Sequence, residues 1–137
     1  MANEEASILP NLESLHLRHY GLSPAVCGML AEAAHVCLTR HHSSPTKFTI
    51  NKMKKVTHRS LTWPLAEPRS VAAHSNRDDA TEAGAYSISL ATVEAELGLV
   101  AVERADIRTG ADYYIAPLNG QARDDAFEDA YRLEVSG

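Results

Sequence analysis

Leu22, Val26, Met29, Leu30, Ala33, Val36 and Cys37 recur at spacings of three and four, the period of a helix with one apolar stripe. The flanks agree. Ser23 suits an N-cap, and Pro24 stands at the first helical position, where its missing N–H costs nothing. Arg40, His41 and His42 put cationic groups near the C-terminus, and Ser43-Ser44-Pro45 ends the run. The pattern predicts a helix from Pro24 to about Arg40. Residues 1–20 hold no lasting period and are punctuated by Pro10, so irregular chain or a short helix is expected there.

The period then falls to two. TKFTIN (46–51) and KVTHRSLTW (55–63) read as strands and form a hairpin through Lys52–Lys54. Residues 64–79 hold Pro64 and Pro68 and little periodicity, which predicts a connecting loop with at most one helical turn. A second helix is expected from about Asp79 to Leu97, capped by Asp78, Asp79 and Thr81 and stopped by Gly98. Tyr86, Leu90, Val93 and Leu97 make its main stripe; Ala83, Ala85, Ile88 and Ala91 broaden it. Gly84 weakens this helix by roughly 1 kcal/mol relative to alanine and suggests close packing on a sheet. Strands follow at 99–105, 111–116 and 130–135, with turns at 108–110 and Asn119-Gly120. The order helix, two strands, helix, three strands predicts an α+β fold: an antiparallel-rich mixed sheet with a central packed helix.

At 137 residues the chain fits a single domain, 1–137, in two parts. Residues 1–77 carry the first helix and the hairpin; 78–137 carry a helix-strand-strand-strand core. No apolar run is long enough to span a membrane, and the acidic start lacks a secretory pattern. Cys27 and Cys37 are ten residues apart, about 15 Å along a helix and too far for a disulfide. Reduced thiols buried on the apolar stripe point to a cytoplasmic protein.

The net charge of -5 gives no general support for nucleic-acid binding, but the charge is sorted along the chain. From Arg40 to Arg59 there are six lysines and arginines and no acid; from Ser60 onward there are fourteen acids and six arginines. Lys52, Lys54 and Lys55 on the hairpin are candidate phosphate contacts, unless they only solvate an exposed turn.

GADYYIA (110–116) and YRLEVSG (131–137) raise a chemical question. Side chains alternate across a strand, so Asp112 shares a face with Tyr114, and Glu134 shares one with Arg132 and Ser136. Were the two strands adjacent, Asp112 and Glu134 would converge as ligands for a hard divalent cation such as Mg²⁺, which activates water against a phosphodiester. Glu82, in the first turn of the second helix, is a third acid for that site. The competing reading is that these acids solvate one sheet face or pair with Arg104 and Arg132.

Glu82 in DDATEAGAY, Asp112 in TGADYYI and Glu134 in RLEVSG together resemble the PD-(D/E)XK, or restriction-endonuclease-like, superfamily over residues 78–137. The resemblance implies a nuclease-like core in which Asp112 and Glu134 ligate Mg²⁺ and Glu82 supports it through water. The family's lysine position is Ser136 here, so Arg132 or Arg104 would have to supply the positive charge. TGADYYI and RLEVSG also resemble a group of small bacterial proteins, a likeness that implies no activity.

The seven histidines show no zinc spacing, and no Gly-x-Ser-x-Gly elbow or phosphate-binding glycine loop occurs. Trp63 either closes a core edge or stacks on a base. Two expectations result. The first is a small bacterial nuclease-like protein, a weak Mg²⁺-dependent nuclease or a degenerate relative that binds nucleic acid or protein. The second is a non-catalytic interaction module, immunity- or antitoxin-like or a subunit of an assembly.

Overall fold

The computed structural model describes residues 8–106, 111–118 and 131–136. A short 3-10 helix, Leu12–Leu17, leads into α1 (Pro24–His41), the hairpin β1 (Thr46–Lys52) and β2 (Lys55–Leu61), α2 (Pro68–Ala73) and α3 (Arg77–Leu97). Three strands follow: β3 (Leu99–Arg104), β4 (Tyr113–Pro117) and β5 (Tyr131–Leu133). The turns at 108–110 and Asn119-Gly120 and the acidic stretch Asp124–Asp129 lie outside the described residues. Among the described residues, no helix is long and apolar enough to cross a membrane.

Local chemistry sets the helix ends. The Ser23 side chain accepts from the Val26 N–H at the start of α1. Asn76 does the same for the Asp79 N–H, which starts α3 two residues earlier than its acids suggested. Gly98, at φ 67°, ends α3 in the left-handed conformation that glycine adopts without penalty. The stretch from 64 to 79 forms a six-residue helix, α2, opened by Pro68.

α1 packs along α3, and the faces that meet differ from those the large apolar residues mark out. On α1 the buried residues are Cys27, Leu30, Ala31, Ala33, Ala34, Val36 and Leu38, while Val26 and Met29 stand exposed. On α3 they are Ala80, Gly84, Ser87, Leu90 and Ala91, while Leu97 is exposed. The helices approach closely enough that backbone meets backbone. A methyl group added at Gly84 would fall 3.0 Å from the Ala34 Cα. Gly84 therefore serves a helix–helix contact and not the sheet contact expected. Burial here selects for small side chains, which a pattern built on large ones overlooks.

The strands form two small antiparallel sheets. β1 and β2 pair from Thr46↔Leu61 to Lys52↔Lys55, and Met53 takes a positive φ of 58° at the turn. β3, β4 and β5 form a meander in that order, with a bulge between Ala101 and Glu103. The one parallel contact among the described residues is a bridge from Ile8 to Ser60. The outer edge of β3 is covered by the segment before α1: the Gly21 N–H donates to the Ala101 carbonyl at 2.9 Å. A side chain at position 21 would collide with β3, its Cβ lying 2.8 Å from the Glu103 nitrogen.

Leu9, Leu12, Leu15, Leu30, Leu61, Trp63, Leu90, Tyr113 and Ile115 belong to one apolar core cluster beneath these elements. Trp63 is 7% exposed and its Nε1–H donates to Thr39 Oγ1 at 3.2 Å. It closes the core, and its ring faces are not open to a base.

Candidate functional site

β4 and β5 do lie side by side, with Tyr113 opposite Leu133, Tyr114 opposite Arg132 and Ile115 opposite Tyr131. The pairing extends past the strand ends, where the Asp112 N–H donates to the Leu133 carbonyl at 2.7 Å. Carried one step on, this register sets Asp112 against Glu134. Their side chains have different fates.

The Asp112 carboxylate folds back on the polypeptide. Its Oδ2 accepts the Val135 N–H at 2.6 Å, and its Oδ1 accepts the Tyr86 hydroxyl at 3.2 Å. Arg104 reaches the same residue, with one guanidinium nitrogen 3.8 Å from Oδ1 and bonded to the Asp112 carbonyl. That guanidinium also lies 5.2 Å from the ring centres of both Tyr86 and Tyr113, a cation–π seat. The two rings meet edge to face at 5.9 Å. Burial, then the charge of Asp112, raises the Tyr86 hydroxyl above its ordinary pKa; burial likewise raises Tyr113. Both phenols are therefore hydrogen-bond donors at neutral pH.

A cleft of about 430 Å³ opens beside this cluster, lined by Asp78, Thr81, Glu82, Tyr86, Asp112 and the Val135–Ser136 end. Glu82 does reach it, from the first turns of α3, with Oε1 3.3 Å from the Tyr86 hydroxyl. Glu134 is exposed and is not among the residues lining the cleft. Arg132 is exposed on β5 opposite Tyr114. The acids brought together are thus Asp78, Glu82 and Asp112, and Glu134 and Arg132 stand apart from them. Among the described residues, no three His, Cys, Asp or Glu side chains are arranged to hold a metal ion. Asp112 works here as a backbone acceptor that fastens the chain after β5, and Arg104 is its charge partner.

The hairpin lysines also separate. Lys52 turns inward, with Nζ 3.4 Å from Glu96 Oε1, and Arg59 clasps the other oxygen of the same carboxylate. Lys47, Lys54 and Lys55 are exposed, and no carboxylate among the described residues pairs with them.

Three acid-centred clusters were not foreseen. Arg59 and Lys52 converge on Glu96, and Arg18 and His19 converge on Glu94 at 2.6 and 2.8 Å. Ser70 and His74 converge on Glu32 at 2.8 and 2.9 Å. Hydrogen bonding from Arg59 lowers the Glu96 carboxyl. Burial works against the Glu94 charge, but bonds from His19 and Arg18 outweigh it and hold that carboxyl low as well. His19 is fully buried, and its Nδ1 accepts the Ala101 N–H at 2.9 Å, so its Nε2 carries the proton that Glu94 receives. One signal for the first two was readable: Glu94 and Glu96 fall in the last turn of α3, where the helix dipole disfavours anions unless cations meet them.

Compared with known proteins, the chain matches no family model, no curated protein and no solved structure.

Proposed function

We propose that the chain is a non-catalytic nucleic-acid-binding module that holds a phosphate backbone on the outer face of the β1–β2 hairpin. The observation that carries this reading is a set of exposed lysines at the hairpin's tip and outer face that no carboxylate among the described residues pairs with; Lys55, opposite Lys52 in the ladder, belongs to it by its exposure at the tip. The inward cations, Lys52 and Arg59, are spent on Glu96. Lys47 on the outer face and Lys54 and Lys55 at the tip stay uncompensated, and residues 33–66 contain no acid. Between them stand Thr49, Asn51 and His58, with Thr49 Oγ1 3.3 Å from His58 Nδ1. A two-stranded ribbon of this kind fits a nucleic-acid groove, and its lysines supply the sequence-independent electrostatic part of affinity.

The engagement of Asp112 by Val135, Tyr86 and Arg104 supports binding without cleavage. It weighs against the nuclease-like alternative, in which that carboxylate would be free for Mg²⁺. The free thiols of Cys27 and Cys37 fit a reducing cytoplasm.

Fluorescence anisotropy with labelled single-stranded and duplex oligonucleotides tests the proposal between 50 and 200 mM salt. Three phosphate contacts give a log–log salt slope of about -2 to -3. Replacing Lys47, Lys54 and Lys55 together by Gln is expected to abolish binding with the fold intact. Absence of binding at the lowest salt, or an affinity indifferent to the triple change, would reject the hairpin. Adding Mg²⁺ is expected to leave the oligonucleotides uncut; cleavage lost in Asp112→Asn would restore the nuclease reading instead.

A further inference from the structure

Among the described residues β1 has a strand on one side only, since its sheet holds β1 and β2 alone. The far side of β2 is occupied: the Leu9 N–H donates to the Ser60 carbonyl at 2.8 Å. That bond fixes which backbone groups of β1 are spent. Opposite residues of an antiparallel ladder are alternately bonded and unbonded. Ser60 stands opposite Lys47 and turns its carbonyl away from β1, so Lys47 and Ser60 are an unbonded pair. Thr46, Phe48, Ile50 and Lys52 are then the positions bonded to β2. Lys47, Thr49 and Asn51 each aim an N–H and a C=O outward, and all three are exposed. Among the described residues, no backbone hydrogen bond from another segment reaches them. Natural edges are commonly blunted by a bulge, a proline or a covering segment. β1 runs for seven residues without a bulge, and Pro45 lies before it.

The side chains of TKFTINK (46–52) match themselves when the order is reversed about Thr49. Against a second copy laid antiparallel, Thr49 meets Thr49, Lys47 meets Asn51, Phe48 meets Ile50 and Thr46 meets Lys52. Threonine pairs and aromatic–β-branched pairs are favourable across strands, and like charges placed opposite are not. In this register no lysine faces a lysine, and every outward N–H and C=O is paired. A shift of two residues spoils it: Asn51 then meets Pro45, which has no N–H, or Lys47 meets Met53, which sits in the turn at φ 58°. A shift of one residue sets outward groups against groups already bonded to β2. An acidic partner strand suits the edge less well, because Thr49 and Asn51 are neutral and Lys52 is already paired with Glu96.

We infer that two copies of the chain join β1 to β1, antiparallel about a two-fold axis at Thr49, so that two hairpins make one four-stranded sheet. The contact is isologous and closes at the dimer. A ladder this short belongs with the weak, transient interfaces. It uses the strand edge and not the outer face, and does not rest on nucleic-acid binding.

The test uses the full chain without oligonucleotide. Sedimentation velocity between about 10 μM and 1 mM protein is expected to show a monomer–dimer equilibrium. Amide exchange at Lys47, Thr49 and Asn51 should slow as concentration rises, while the amides of Phe48 and Ile50, bonded to β2, stay protected throughout. Thr49→Pro removes an N–H that faces away from β2, a change an edge strand tolerates. It should weaken dimerisation about tenfold or more and leave the hairpin intact. Charge variants test the axis itself. Thr49→Lys and Thr49→Glu each set like charges opposite one another and should be monomeric alone, and an equal mixture of the two should dimerise. The inference falls if the unaltered chain is monomeric throughout the range, if it assembles beyond a dimer, if Thr49→Pro leaves association unchanged, or if the mixture of charge variants stays monomeric.

Discussion

Asp112 shows how one side chain can look catalytic in sequence and act structurally. Its two oxygens are divided between the Val135 N–H and the Tyr86 hydroxyl, with Arg104 alongside. Replacing it with alanine strands a backbone donor and a phenol, each costing about 1–3 kcal/mol where buried. Both groups are partly solvated here, so we expect Asp112→Ala to lie at the low end of that range. Amide exchange at Val135 should accelerate, and the urea midpoint should fall equally with and without Mg²⁺. A loss confined to Mg²⁺-containing buffer would mean that the residue binds the ion. The sequence put Asp112 and Glu134 on two strands and made their meeting conditional on adjacency, which the β4–β5 pairing supplies. It could not show that the carboxylate turns back on its own chain, since alternation fixes the side of a strand and not the partner found there.

The helices teach a different lesson. Positions 28 and 84 are both glycine within helices, and periodicity treats them alike. Their surroundings are opposite: nothing lies within 4 Å of a Cβ at Gly28, whereas at Gly84 the Ala34 Cα lies 3.0 Å away. Gly28→Ala should stabilise the protein by about 1 kcal/mol through helix propensity alone. Gly84→Ala should destabilise it, because forcing α1 from α3 costs about 1–3 kcal/mol and exceeds the same gain. Chemical denaturation of the two variants checks the opposite signs. Element type was largely legible: both long helices, the 52–54 turn and all five strands stand within a few residues of where period and caps put them, while 64–79, expected as a connecting loop, holds the helix α2. Which face of each helix turns inward was not. Beside Leu30, Val36, Leu38 and Leu90, the burying residues are alanine, glycine, serine and cysteine, and these carry little weight in a hydrophobic pattern.

Across the whole molecule, ionised acids tie separate elements together. Glu94 joins α3 to the segment before α1, Glu96 joins it to the hairpin, and Glu32 joins α1 to α2. Each carboxyl is held below its ordinary value of 4.5, so its contribution is complete above that pH and is lost as pH falls through the lower folded value. His35 adds an earlier step. Its folded pKa is depressed from 6.5, so the unfolded chain takes up a proton that the fold resists. Stability should therefore begin to fall as pH drops below about 6.5. Thermal melts between pH 8 and pH 3 should show a shallow decline first and a steep one below 4.5. His35→Gln should remove only the shallow part. A melting temperature flat down to pH 3 would contradict these pairings.

The seam between α1 and α3 has one more consequence. Alanine and glycine have no rotamers to surrender, so the contact of Ala33 and Ala34 with Gly84 forms at almost no side-chain entropy cost. Leucines meeting at the same place would each give up freedom on being fixed. The two longest helices are thus joined where side chains give up least, and the freedom surrendered at this contact is that of the Gly84 backbone.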